Sequence, residues 1–149
     1  MKDNYFENVD ISFLTKKLDN RINRYIQALY NRKDFQECSI MNMWVADYLY
    51  DMQQLGKAVF QKDVEAEFSI NKATASKMLS LMEKKKLIKR TSSASDSRLK
   101  QIELEPRGFE LQKLCCYINA EIEKKLTGCL SAEEQELYKK LCLRLIEGI

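Results

Sequence analysis

Between Gln61 and Leu104 the apolar pattern changes period, from the three-and-four spacing of helices to the alternation of strands. That change constrains the fold more than any other feature of the chain. Val64 and Phe68 stand four apart and predict a short helix over Gln61–Phe68. A three-residue break, Ser69-Ile70-Asn71, leads into a second helix reaching about Lys85, with Ala75, Met78, Leu79 and Met82 as its inward stripe. Asn71 is a suitable N-cap, because its side-chain oxygen can accept a free backbone N–H. Two short helices across a tight break form a helix-turn-helix. Leu87–Thr91 and Leu99–Leu104 then read as strands, and the small polar stretch Ser92–Arg98 between them as an exposed hairpin loop. A helix-turn-helix followed by a two-stranded hairpin is a winged helix.

The flanks are helical. Leu14, Leu18, Ile22, Tyr25, Ile26 and Leu29 predict an amphipathic helix from about Ile11 to Arg32. Ser39 can cap a second helix to about Gln54. Its apolar residues Met41, Met43, Trp44, Val45, Tyr48, Leu49 and Met52 surround the axis, so it should be central and largely buried. Gly56 suits the left-handed position beyond its end. Pro106 opens a helix to about Leu126, carrying Leu111, Leu114, Cys115, Ile118 and Ile122, and Gly128 stops it. Ser131-Ala132-Glu133-Glu134 is a capping box that starts a last helix lined by Leu137, Leu141 and Leu145. The expected fold is mainly α with a small β-hairpin wing, in one domain of 149 residues. Residues 39–105 form the winged-helix lobe, and 1–38 and 106–149 supply terminal helices. Four Gly and one Pro argue against collagen-like, linker-rich and all-β architectures.

Several function classes drop out. No His is present, which removes imidazole catalysis and His-liganded zinc, and nothing calls for a metal or a cofactor. No nucleophile–base pair, phosphate loop or carboxylate pair stands out, so an enzyme is not expected. The longest apolar run, Leu114–Ile118, is far too short to span a bilayer. The first ten residues lack a basic segment followed by an apolar one, so no signal peptide and a cytoplasmic location are expected. Cys38, Cys115, Cys116, Cys129 and Cys142 are odd in number and contain no CxxC, which argues against a disulfide framework.

Charge is informative in its placement. The chain's net charge is only +3, yet Ser69–Lys100 holds nine basic residues against Glu83 and Asp96. A segment of +7 on an otherwise acidic chain is an electrostatic footprint for a polyanion. A helix fits the DNA major groove and reads it with its first turns. Asn71, Lys72, Thr74, Ser76 and Lys77 occupy those turns. In the wing the candidates are Arg90, Ser95, Asp96, Arg98 and Lys100. Arg98 can enter a narrow minor groove, while Asp96 would repel phosphate and is expected to shape the loop from within. A winged helix can also bind protein, and the salt dependence of duplex binding separates the two readings.

The terminal helices lie outside the winged-helix unit, and their apolar stripes must be covered. Pairing Leu14, Leu18, Leu137, Leu141 and Leu145 with those of a second copy gives a twofold homodimer. Such a dimer presents two reading helices to a pseudo-palindromic duplex site.

These residues resemble the multiple-antibiotic-resistance regulator (MarR) family of bacterial transcription factors. FQKDVEAEFSINKATASKMLSLMEKKKLIKR is similar to that family's helix-turn-helix and first wing strand. SDSRLKQIELEPRGFEL is similar to its wing signature, here Asp96-Ser97-Arg98 with Gly108 downstream. The resemblance implies a triangular dimer built from terminal helices, DNA contacts from Asn71–Lys77 and from the wing around Arg98, and control by a ligand or oxidant in a crevice between dimer helices and DNA lobe. Two positions depart from the family pattern. Lys86 stands where the family usually has Gly, a strain of about 1 kcal/mol if that position needs positive φ. Leu104-Glu105-Pro106 replaces the usual Leu-Thr cap. The metal-sensing branch uses His-rich sites, absent here. The peroxide-sensing branch uses a Cys in the first helix, whereas Cys38 falls after it and beside Glu37, so a thiol switch is the alternative to a repressor released by a small amphipathic effector. The crevice for that effector would draw on Tyr25, Met43, Trp44, Asp47 and Tyr48.

Overall fold

The computed structural model describes residues 8–30 and 35–149. Among them six helices and one hairpin follow one another as α1 (Ile11–Leu29), α2 (Ile40–Gln54), α3 (Gln61–Glu67), α4 (Lys72–Lys84), β1 (Ile88–Ser92), β2 (Lys100–Leu104), α5 (Pro106–Thr127) and α6 (Ala132–Glu147). The first helix closes at Leu29, short of the expected Arg32, and residues 31–34 lie outside the described residues. The reading of a missing signal peptide also concerns residues largely outside them. Both strands begin one residue later than expected, because Leu87 N–H turns back to the Met82 carbonyl and Leu99 N–H to the Asp96 carbonyl instead of joining the ladder.

Caps set the helix ends. Ser39 and Asn42 exchange side-chain bonds with each other's backbone N–H at the start of α2. Ser131 and Glu134 do the same for α6. Three helices end in one motif, with a residue at positive φ just past the cap and a pair of back-bonds into the last turn. After α2 the residue is Gly56, at φ 68, with Gly56 N–H to Gln53 and Lys57 N–H to Met52. After α3 it is Ser69, at φ 51, bonded to Ala66 while Ile70 bonds Glu65. After α4 it is Lys86, at φ 60, bonded to Glu83 while Leu87 bonds Met82. The tight break of the helix-turn-helix is therefore a helix termination followed at once by the Asn71 cap.

The hairpin is antiparallel, from Ile88 opposite Leu104 to Ser92 opposite Lys100. It leans on the helices through Ile88, Ile102 and Leu104, all buried. Ile102 N–H also donates to the Val59 carbonyl at 2.8 Å, pinning β2 to the segment before α3.

Two compact units result. One runs from Tyr30 to Tyr117, with a core that includes Met43, Val45, Val64, Leu79, Met82, Leu87 and Leu111. Helix α2 supplies five buried residues to it, Asn42, Met43, Val45, Ala46 and Leu49, whereas Met41 and Trp44 of the expected all-round apolar set stay exposed. The other unit joins the described residues up to Leu29 with Ile118–Ile149. There α1 buries Ile26 alone, and α6 buries nothing.

Candidate nucleic-acid interface

Helix α4 begins with its polar face in water. Lys72, Thr74, Ser76 and Lys77 are all exposed, while Ala75, Leu79 and Met82 hold the helix to the core. Asn71 is exposed too, but its side-chain oxygen accepts the Thr74 N–H at 2.8 Å and is committed to the cap. Gln61, on the first turn of α3, donates its amide to the Lys72 carbonyl at 3.3 Å. That bond ties the two helices at the end that faces outward. Sequence reading passed over Gln61, since only the fold brings it to Lys72.

The wing tip is shaped by local bonds. Asp96 accepts the Arg98 N–H at 2.9 Å, and its carboxylate lies 3.5 Å from the Arg98 Nε. Ser93 Oγ lies 3.0 Å from Ser95 Oγ, and Ser93 N–H closes the loop onto the Leu99 carbonyl. Arg98 nevertheless leaves 91% of its side chain exposed. Ser95 and Lys100 are exposed as well. Arg90 differs. Its guanidinium faces Glu83 and Ser80 of α4, and its side chain is only 20% exposed. The Arg90 bonds hold the Glu83 carboxyl below its ordinary range.

The far end of α4 is bolted down. Lys85 Nζ donates to the Glu37 carbonyl at 2.7 Å, and Arg107 donates to the Lys85 carbonyl at 3.0 Å. Arg107 also pairs with the Glu37 carboxylate and covers the Phe35 ring at 5.2 Å. Arg107 therefore keeps the Glu37 carboxyl below its usual range. Glu105 N–H bonds the Leu87 carbonyl, and Gly108 packs so close to that oxygen that a Cβ would sit 2.1 Å from it.

The other candidates sit as follows. Met43 is fully buried core. Trp44 is 44% exposed. Asp47 accepts the Gln112 amide at 3.0 Å, and Tyr48 meets the Phe68 ring edge-on. Tyr25 belongs to the other unit, where Lys125 stands 6.0 Å over its ring. Two surface depressions lie away from these residues. One follows the basic face of α1 from Phe13 to Arg24, and one lies between Lys86, Ile88 and Arg107. Cys38 is buried beside Tyr30, and burial pushes both the thiol and the phenol up. Leu14, Leu18, Leu137, Leu141 and Leu145 are all exposed in the single chain. Among the described residues no His, Cys, Asp or Glu cluster is arranged to hold a metal ion, and no helix is long and apolar enough to cross a membrane.

Residues 40–99 match the MarR family. The chain is 34% identical to the transcriptional regulator HosA of Escherichia coli O127:H6 over 83 residues, which span 56% of this chain and 61% of that protein. The crystal structure of an S. aureus MepR–DNA complex superposes with a TM-score of 0.83 at 27% identity, covering 95% of this chain and all of that one. The transcription regulator MarR from Oenococcus oeni PSU-1 gives 0.65 at 28% identity, over 92% of this chain and 96% of that one.

Proposed function

From the premise that the chain belongs to the MarR family of winged-helix transcriptional regulators, we propose that it binds double-stranded DNA sequence-specifically, as a homodimeric repressor released by a small amphipathic effector. The observation that carries this reading is the coincidence of charge and shape. The +7 segment forms an outward reading helix and a wing whose Arg98 is held at the tip by Asp96 yet stays in solvent. Lys72 and Lys77 neutralise phosphates, Thr74 and Ser76 let the helix approach base edges, and Arg98 enters the minor groove. Residues 39–105 carry this work, and the helices in 1–38 and 106–149 pair the subunits over a pseudo-palindromic operator. The effector acts by binding better to the form whose reading helices are wrongly spaced. We assign it to α2 around Trp44, Asp47 and Tyr48. A cytoplasmic location follows from this role.

Footprinting on the DNA that flanks the protein's own gene tests the reading, followed by a screen for compounds that release the footprint. On the protected duplex, Arg98→Ala should weaken binding by roughly 1–3 kcal/mol while the dimer persists. Unchanged affinity removes the wing from the mechanism. Absence of any footprint at low salt removes the proposal.

A further inference from the structure

Alternation along β1 puts Arg90 on the same strand face as Ile88, toward α4 and away from solvent. There its backbone N–H and Nε reach one Glu83 oxygen, at 3.2 and 3.4 Å. A terminal nitrogen reaches the other oxygen at 3.2 Å and Ser80 Oγ at 3.3 Å. Both carboxylate oxygens are thus taken by one residue, and the guanidinium is anchored at two points on α4, one turn apart. Glu83 is also the lone carboxylate on α4, within the segment that carries the chain's excess positive charge. A carboxylate there weakens attraction for a polyanion, so its place calls for another role.

We propose that Glu83 and Arg90 form a positioning clamp, holding the wing at the one angle to the reading helix at which α4 and Arg98 engage the same duplex, and that Arg90 itself touches no DNA. The inference rests on the duplex-binding reading above. The covalent link from α4 to β1 is a single turn through Lys86. The buried Ile88, Ile102 and Leu104 and the Ile102–Val59 bond seat the hairpin on the helices, but none of them is a directional bond between β1 and α4 that opposes rocking of the wing. The clamp acts further along β1 and adds that constraint. Neither residue is a DNA contact on this account. Their removal therefore lowers sequence discrimination and leaves the count of neutralised phosphates unchanged.

The test uses the full chain and two duplexes, one enriched by the wild-type protein from a random library and one a scramble of it. If the wild type enriches nothing, duplex binding itself fails, a result distinct from failure of the clamp. Glu83→Gln should bind the enriched duplex at least about tenfold more weakly, comparable to one mismatched base pair, while the scramble is bound equally or more tightly. Arg90→Gln should show the same split, with an unchanged slope of log affinity against log salt. The clamp is overturned if Glu83→Gln tightens both duplexes alike. It is also overturned if Arg90→Gln weakens both alike and lowers the slope by about 0.9, the loss of one phosphate contact. Should a single variant unfold, the exchanged pair E83R/R90E decides. Retained discrimination supports the clamp. Parallel loss on both duplexes, as expected if a carboxylate now meets phosphate, overturns it.

Discussion

At the level of single residues, legibility depends on how local the partner is. Asp96 was readable as an internal brace for the wing because it acts two residues away, on the Arg98 backbone. The sequence makes Arg90 a DNA-binding candidate of the wing, because its partners, Ser80 and Glu83, lie on another element and are not visible from its neighbours. A signal lies in its sharing a strand face with Ile88, two residues away, but the charge of the segment outweighs it. Cys38 is similar. Position alone made it a redox candidate, yet the structure buries it beside Tyr30, and burial raises its thiol pKa, which lowers the thiolate fraction and the reactivity. Lys86 is the residue whose cost can be measured. It sits at φ 60 in a helix-terminating position that glycine fills without steric penalty. Lys86→Gly should therefore stabilise the fold by about 1 kcal/mol, partly offset by the glycine's greater freedom when unfolded. Urea melts check this. Lys86→Ala keeps the backbone strain and should show no such gain, which separates strain from the lost charge.

Among the elements, the helices were legible because their stripes and caps are local facts, and α2 to α5 end within a residue of expectation. The turns were less so. Gly56 announced its left-handed conformation, while Ser69 adopts the same one with nothing in its side chain to say so. What forces it is the short distance to Asn71, whose cap must begin α4 at once. The junction of α4, β1 and α5 was invisible in sequence, since Leu87, Glu105 and Gly108 meet only in the fold. That junction predicts a strong effect from a small change. Gly108→Ala places a methyl 2.1 Å from the Leu87 carbonyl oxygen, which is backbone and already accepts the Glu105 N–H. Either α5 or the β1 entry must shift, at a cost of about 1–3 kcal/mol. Thermal melts should show the loss. Because Leu87 feeds β1, duplex affinity should fall further than the melt alone requires. An unshifted melting curve would show that the junction yields freely. The Glu37–Arg107 pair at the same junction has a carboxyl held below its usual range. Its contribution is thus present above the unfolded Glu value, about 4.3, and fades as pH falls toward the lower folded one.

For the whole molecule the telling fact is surface left uncovered. Leu14 and Leu18 on α1, with Leu137, Leu141 and Leu145 on α6, stay in water in a single chain, and α6 buries none of its residues. The periodicity of these leucines was plain in the sequence, but periodicity shows only that a face is apolar and leaves open what covers it. If a second copy covers it, twofold symmetry counts every contact twice. Burying one leucine contributes about 1.5–3 kcal/mol. Leu141 is 44% exposed in the single chain, so pairing newly buries only about half of it. Leu141→Ala removes two such contacts per dimer and should weaken the dimer by about 1.5–3 kcal/mol, less whatever the neighbouring side chains recover by collapsing into the gap. At 1.4 kcal/mol per factor of ten, that is about ten- to a hundredfold in the dissociation constant. Sedimentation at micromolar concentration should then show dimer for the wild type and a shift toward monomer for Leu141→Ala. Duplex binding should become steeply dependent on protein concentration, since two half-sites must be filled by separate chains. Leu130→Ala, at an exposed leucine off the α6 stripe, is the control. If both variants sediment like the wild type and bind duplex equally well, the terminal helices do not hold the subunits together, and the pairing of reading helices must come from another surface.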